Sequence, residues 1–113
     1  MMVDRLSPAP TQQTRFAWSH HKEVPAQPGC YVLATFGNDV LYVGLASKSI
    51  RSRMGVHLDT PKKREGVDLG VPFWFYYLER PANDVNSIER GWMNQAILED
   101  GKMPPLNAVY SPV

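Results

Sequence analysis

The 113-residue chain has a single cysteine, Cys30, so no internal disulfide framework can staple it. It also lacks a long apolar run. The longest, Val71 to Leu78, is interrupted by Pro72 and falls far short of the ~20 residues a membrane-spanning helix needs. Met1 to Gln13 carries no apolar core of the kind found in secretory signals. No repeat or low-complexity tract is visible. An excess of one charge is missing too: 12 Lys+Arg against 11 Asp+Glu leave a net charge of +1. Together these absences point to a cytoplasmic protein with no membrane attachment. What is present is a foldable composition. Hydrophobic residues make up 43% and aromatics 11%, too rich for a disordered chain. The length suits one domain, able to bury about two thirds of its unfolded surface.

Positive charge is concentrated in one stretch. Lys48, Arg51, Arg53, Lys62, Lys63 and Arg64 are six of the 12 basic residues, and Asp59 is the only acid among the positions from 48 to 64. Such a cluster suits a phosphate backbone. On charge alone, a solvated surface is the better reading.

Residues 1–25 read as an N-terminal leader, partly irregular, with Pro8 and Pro10 in its loose first half. Residues 26–113 read as the folded domain. Cys30 to Phe36 and Val40 to Val43 are β-prone runs separated by Gly37-Asn38-Asp39, which predicts a hairpin. A two-residue loop at Asn38-Asp39 sets Thr35 opposite Tyr42 and puts Tyr31 and Tyr42 on one face. A three-residue loop puts them on opposite faces, because a one-residue slip inverts the pattern. Gly37 can also host a bulge. Ser47 or Ser49 then caps a short helix running to about His57, with Ile50 and Met54 inward and Arg53 and His57 sharing a face. Asp59 to Pro72 reads as an exposed loop, and Phe73 to Leu78 as a third strand. Asn86 caps a last helix to about Glu99, with Ile88, Trp92 and Ala96 inward; Gly101 ends it. The expected fold is α+β: a small three-stranded sheet in ββαβα order, flanked by helices.

Gly29-Cys30-Tyr31 followed by Tyr42-Val43-Gly44, with the tyrosines eleven positions apart, resembles the paired signature of the GIY-YIG endonucleases. Cys30 stands where that family usually has isoleucine, a tolerable exchange for a small buried side chain. Arg53 and His57, on the helix after Gly44, are similar to the family's arginine and histidine. Glu89 is similar to its glutamate, and Pro104 to Asn107 to its closing segment. The resemblance spans Gly29 to Asn107 and makes residues 26–113 a GIY-YIG-like nuclease domain.

The resemblance implies hydrolysis of DNA phosphodiester bonds at one divalent cation, magnesium or manganese, held by Glu89. Magnesium suits a site with few carboxylates, since it keeps several waters and binds phosphate oxygens; there it would stabilise the leaving 3′ oxygen. Arg53 would neutralise charge on the phosphorane, Tyr42 would act as general base with Tyr31 assisting, and His57 would position a tyrosine or relay a proton. Gly44, Lys48, Arg51 and Asn107 would contact substrate. With only the leader and the Asp59 to Pro72 loop to spare, recognition of the DNA would be loose, directed by DNA structure, or supplied by a separate recognition subunit or partner protein.

Each residue also has a bland reading. The tyrosines are ordinary strand residues, the glycines are strand-end turns, and Asn107 ties down a loop. Glu89 completes a capping box with Asn86, and Glu99 is a rival glutamate. His20 and His21 lack the spacing of zinc ligands. The alternatives to a DNA nuclease are a degenerate binding module of the same fold and an RNA-cleaving enzyme.

Overall fold

The computed structural model describes residues 1–110. Its centre is an antiparallel sheet of four strands, β1 (Gln12–Arg15), β2 (Gly29–Ala34), β3 (Val40–Ala46) and β4 (Trp74–Glu79), in the order β1-β4-β2-β3. The helices are α1 (Ile50–Leu58), α2 (Pro61–Glu65), α3 (Val85–Asp100) and α4 (Pro105–Tyr110). Two short 3₁₀ turns, Val3–Arg5 and Trp18–Glu23, precede β1 and β2 respectively. The fold is α+β, but the three-stranded ββαβα expectation needs correction. The fourth strand, β1, comes from the segment expected to be a leader. Its residues are polar and mostly exposed, with only Thr14 buried, so no alternation of apolar residues marks it. Backbone pairing with β4, from Gln12↔Tyr77 to Arg15↔Trp74, holds it at the sheet edge. Val3 and Leu6 of the same segment are buried in the core.

Every residue of β2 is buried, because both faces of the sheet are covered. Tyr31, Leu33 and Phe75 pack with Ile50, Met54 and Leu58 of α1 and Leu106 of α4. Cys30, Val32, Val43 and Leu78 pack on the other face with Val85 and Trp92 of α3 and with the N-terminal segment. Two buried helical residues, Ile50 and Trp92, therefore lie on opposite sides of the same strands.

The hairpin reaches the expected side-chain arrangement by an unexpected route. Thr35 N–H donates to the Asp39 carbonyl (3.0 Å), Asn38 N–H donates to the Thr35 carbonyl (2.9 Å), and Asn38 has φ 74°. The loop is thus Phe36-Gly37-Asn38, three residues with the last left-handed, and not the two-residue loop that would face Thr35 with Tyr42. By itself this loop would part the two tyrosines. A bulge then intervenes: Ala34 pairs with Val40 but Leu33 pairs with Tyr42, leaving Leu41 as the extra residue. The second one-residue slip cancels the first. Tyr31 and Tyr42 share a face, with ring centroids 6.2 Å apart.

Local signals explain the helices. Ser49 caps α1, its Oγ accepting from Ser52 N–H at 3.1 Å. Pro61 at the first turn starts α2 inside the supposed loop, and Gly66, at φ 83°, ends it. The last helix begins at Val85 with Asp84 at its N-cap, so Asn86 is not the cap and Glu89 is not in a capping box. Gly101, at φ 76°, terminates it.

β3 is an edge strand, and α4 closes part of that edge. The Asn107 side chain accepts from Val43 N–H (2.8 Å) and donates to the Val43 carbonyl (2.9 Å), reproducing the pairing of a missing strand. Replacing Asn107 with Ala strands both buried backbone groups, so Asn107→Ala is expected to lose about 2 kcal/mol or more of stability. Urea midpoints of the two proteins check this; a variant within about 0.5 kcal/mol of the parent would show that water replaces the amide.

Candidate active site

The site grows from the pairing of Tyr31 with Gly44 across β2 and β3. The Tyr31 ring lies directly over that glycine: a Cβ on Gly44 would be 2.5 Å from Tyr31 Cζ and 2.6 Å from its hydroxyl oxygen. Phe75 stacks against the same ring at 5.3 Å. Gly29 is needed for a different close approach. A Cβ there would meet the Leu78 carbonyl oxygen at 2.3 Å and Ile50 Cδ1 at 2.6 Å, so the start of α1 could not settle on the strand. Each glycine of the sequence signature is a site of close approach, to the Tyr31 ring at Gly44 and to the Leu78 carbonyl and Ile50 at Gly29, which replaces their reading as simple strand-end turns.

From Tyr31 a hydrogen-bonded chain runs inward. Tyr31 Oη lies 2.6 Å from His57 Nε2, and His57 Nδ1 lies 2.7 Å from Lys63 Nζ. His57 is fully buried and Lys63 is 6% exposed. An ammonium can only donate, so Nδ1 accepts and Nε2–H donates to the tyrosine oxygen. The Lys63 ammonium also lies 4.3 Å from the centre of the Tyr42 ring. Burial, reinforced by the charges of Lys63 and Arg53, pushes His57 from its ordinary 6.5 down to about 3 and keeps it neutral. Burial and Arg53 lower Lys63 to about 8, leaving it mostly charged at neutrality.

On the outer side a cavity of about 570 Å³ opens beside Tyr31, Tyr42, Gly44, Lys48, Arg53 and Glu89, floored by the end of β3. The serines 47, 49 and 52 also line it. Arg53 comes from α1 on one face of the sheet and Glu89 from α3 on the other, and both line the cavity. Burial raises Tyr31 and Tyr42 above the ordinary phenol range, while the Arg53 charge pulls both back. Burial likewise raises the half-buried Glu89 carboxyl, opposed only by Arg90. Among the described residues no hydrogen bond or ion pair engages the Glu89 carboxylate, and no group of three or more His, Cys, Asp or Glu side chains gathers to hold a metal ion. A hard cation that keeps most of its waters asks for only one or two carboxylates. An unengaged carboxylate beside an open cavity fits that need.

Of the residues expected here, Tyr31, Tyr42, Gly44, Lys48, Arg53 and Glu89 line the cavity, and His57 stands behind it. Two expected substrate contacts lie elsewhere. Arg51 Nε donates to the Val24 carbonyl at 2.6 Å, tying α1 to the preceding segment, and buried Asn107 serves Val43. Glu99 pairs with Arg5 and does not line the cavity. His20 bonds Glu23 and His21 bonds the Arg51 carbonyl, so neither faces a common ion. Lys63 was hidden in a basic run. Its only trace in the sequence is Thr60-Pro61, a helix-start signal within the supposed loop.

No protein-family model matches this chain, and no curated protein matches it.

His57 makes stability depend on pH. The unfolded residue takes up a proton as pH falls through 6.5, whereas the folded one resists until about 3. Across that window the unfolded state binds more protons, so stability falls with falling pH, by at most about 1.4 kcal/mol per pH unit for one group. The groups facing it are Lys63 from α2, Arg53 on α1, Tyr31 on β2 and Tyr42 on β3. In His57→Gln the amide can donate to Tyr31 and accept from Lys63 but cannot titrate. Its urea midpoint is expected to decline less steeply than the parent's between about pH 6.5 and 4.5. Parallel declines would mean that His57 is not held neutral.

Proposed function

We propose that the protein is a metal-dependent endonuclease of the GIY-YIG type, hydrolysing DNA phosphodiester bonds. One observation carries this reading: Tyr31, Tyr42, Arg53 and Glu89, from four elements scattered along the chain, line one cavity. Their types divide the work of phosphodiester hydrolysis. Arg53 offers a planar, permanently charged fork to the non-bridging oxygens, where negative charge grows as water attacks phosphorus. Tyr42, once ionised to its phenolate, takes the proton of that water; the bond from phosphorus to the 3′ oxygen breaks as the new one forms, and the leaving oxygen takes a proton from solvent. Tyr31, its oxygen already accepting from His57, keeps its own O–H to orient groups in the cavity. Lys48 attracts a flanking phosphate at the cavity mouth. Glu89 would hold the cation, magnesium or manganese, which when bound supplies Lewis-acid stabilisation of the phosphoryl and leaving oxygens. Gly44 leaves the space that Tyr31 fills.

The test is cleavage of plasmid DNA in magnesium, with and without chelator. Arg53→Ala is expected to lose on the order of 10²-fold or more in rate while keeping DNA binding. Glu89→Gln should lose magnesium-dependent cleavage with a near-native melting temperature, since it caps nothing; Glu99→Gln should cut normally. An Arg53→Ala protein that cuts within about twofold of the parent would defeat the mechanism. A parent protein that binds DNA and cuts nothing would favour the binding-module alternative.

A further inference from the structure

A charged lysine that is 6% exposed, on a helix carrying none of the expected site residues, needs a reason to be there. Its surroundings suggest one. Lys63 Nζ is 2.7 Å from His57 Nδ1 and 4.3 Å from the centre of the Tyr42 ring, and His57 in turn is 2.6 Å from Tyr31 Oη. One ammonium therefore touches both the Tyr42 ring and the histidine that bonds Tyr31. We propose that Lys63 is a positioning residue of this site: by donating to His57 Nδ1 it fixes the imidazole with Nε2–H on Tyr31, and its charge against the Tyr42 ring favours release of the Tyr42 proton. The inference rests on the nuclease reading for the reaction it serves.

Two physical arguments support it. First, a neutral imidazole has two tautomers, and only a donor at Nδ1 forces the proton onto Nε2. With the opposite tautomer, Nε2 would accept the Tyr31 proton and remove that O–H from the cavity. Second, a phenol pushed up by burial needs nearby cations to ionise near neutrality. Arg53 supplies one from the cavity side, and Lys63 supplies another from the core side. The lowered proton affinity of Lys63 still leaves it charged at pH 7.

The test joins a spectroscopic readout to a kinetic one. ¹⁵N correlation spectra of histidine-labelled wild-type protein at pH 7 should show His57 neutral, protonated on Nε2, with Nδ1 shifted as a hydrogen-bond acceptor. In Lys63→Met, a chain of similar length without charge, the acceptor shift should vanish. The variant's kcat should fall on the order of tenfold or more, with KM held within about twofold. A wild-type His57 that is protonated on Nδ1, or doubly protonated, overturns the proposal without recourse to any variant. So does a folded Lys63→Met protein with unchanged kcat, or one altered only in KM. The nuclease reading is judged separately, on whether the wild type cuts DNA in magnesium. If the wild type cuts and Lys63→Met cuts equally well, only the role of Lys63 falls.

Discussion

The packing of the Tyr31 ring over the bare backbone of Gly44 is the contact on which the site depends. It requires a glycine on β3, since a Cβ there would overlap the ring. It requires a register that sets residue 31 opposite residue 44. Once the ring is down, held by Phe75 on the same face, its hydroxyl reaches His57 at 2.6 Å and its edge reaches the cavity. The same residue is thus core on one side and site on the other. A core tyrosine normally finds a partner for its hydroxyl; here that partner links the core to a buried cation.

Two cationic side chains stand close to this ring. Arg53 and Lys63 are cationic and close, and among the described residues Glu89 is the one carboxylate lining the cavity. Burial outweighs those charges at the tyrosines, both of which hold their protons more tightly than an ordinary phenol. His57 is kept neutral in part by the two cations, and the proton affinities of both tyrosines are drawn down by Arg53 against the upward push of burial. A net charge of +1 for the whole chain hides this local arrangement. Local arrangement, and not total charge, sets the field that a ligand meets.

Much of this was legible in the sequence where one residue carries the constraint. The glycine–tyrosine signature, a serine cap (Ser49, of the two serines expected), the inward Ile50, Met54 and Trp92, and the stop at Gly101 each depend on local chemistry. Tertiary constraints were not legible. β1 is a polar strand whose place depends on backbone pairing with β4, and pairing leaves no periodic trace in its side chains. Lys63 sits among Lys62 and Arg64, both exposed, and nothing in that run says which lysine turns inward. In the hairpin, a loop one residue longer than expected and a bulge at Leu41 cancel each other. The shared face of the tyrosines was therefore readable even though the path to it was not, because only the parity of the slips decides which face a side chain takes.

The edge of β3 shows how a small fold keeps a site open without exposing a sheet. An unpaired edge strand is a template for another chain, yet a cavity bordered by a strand needs some of that edge uncovered. The strand divides the two requirements along its length. At Val43 the Asn107 amide occupies both backbone groups and closes the edge. From Gly44 to Ala46 the strand instead lines the cavity, with Arg53 and Glu89 arriving from helices on opposite faces. Three residues of the strand line the cavity, with Lys48, Arg53 and Glu89 beside them. Asn107, expected to touch substrate, serves the site by closing the edge next to it.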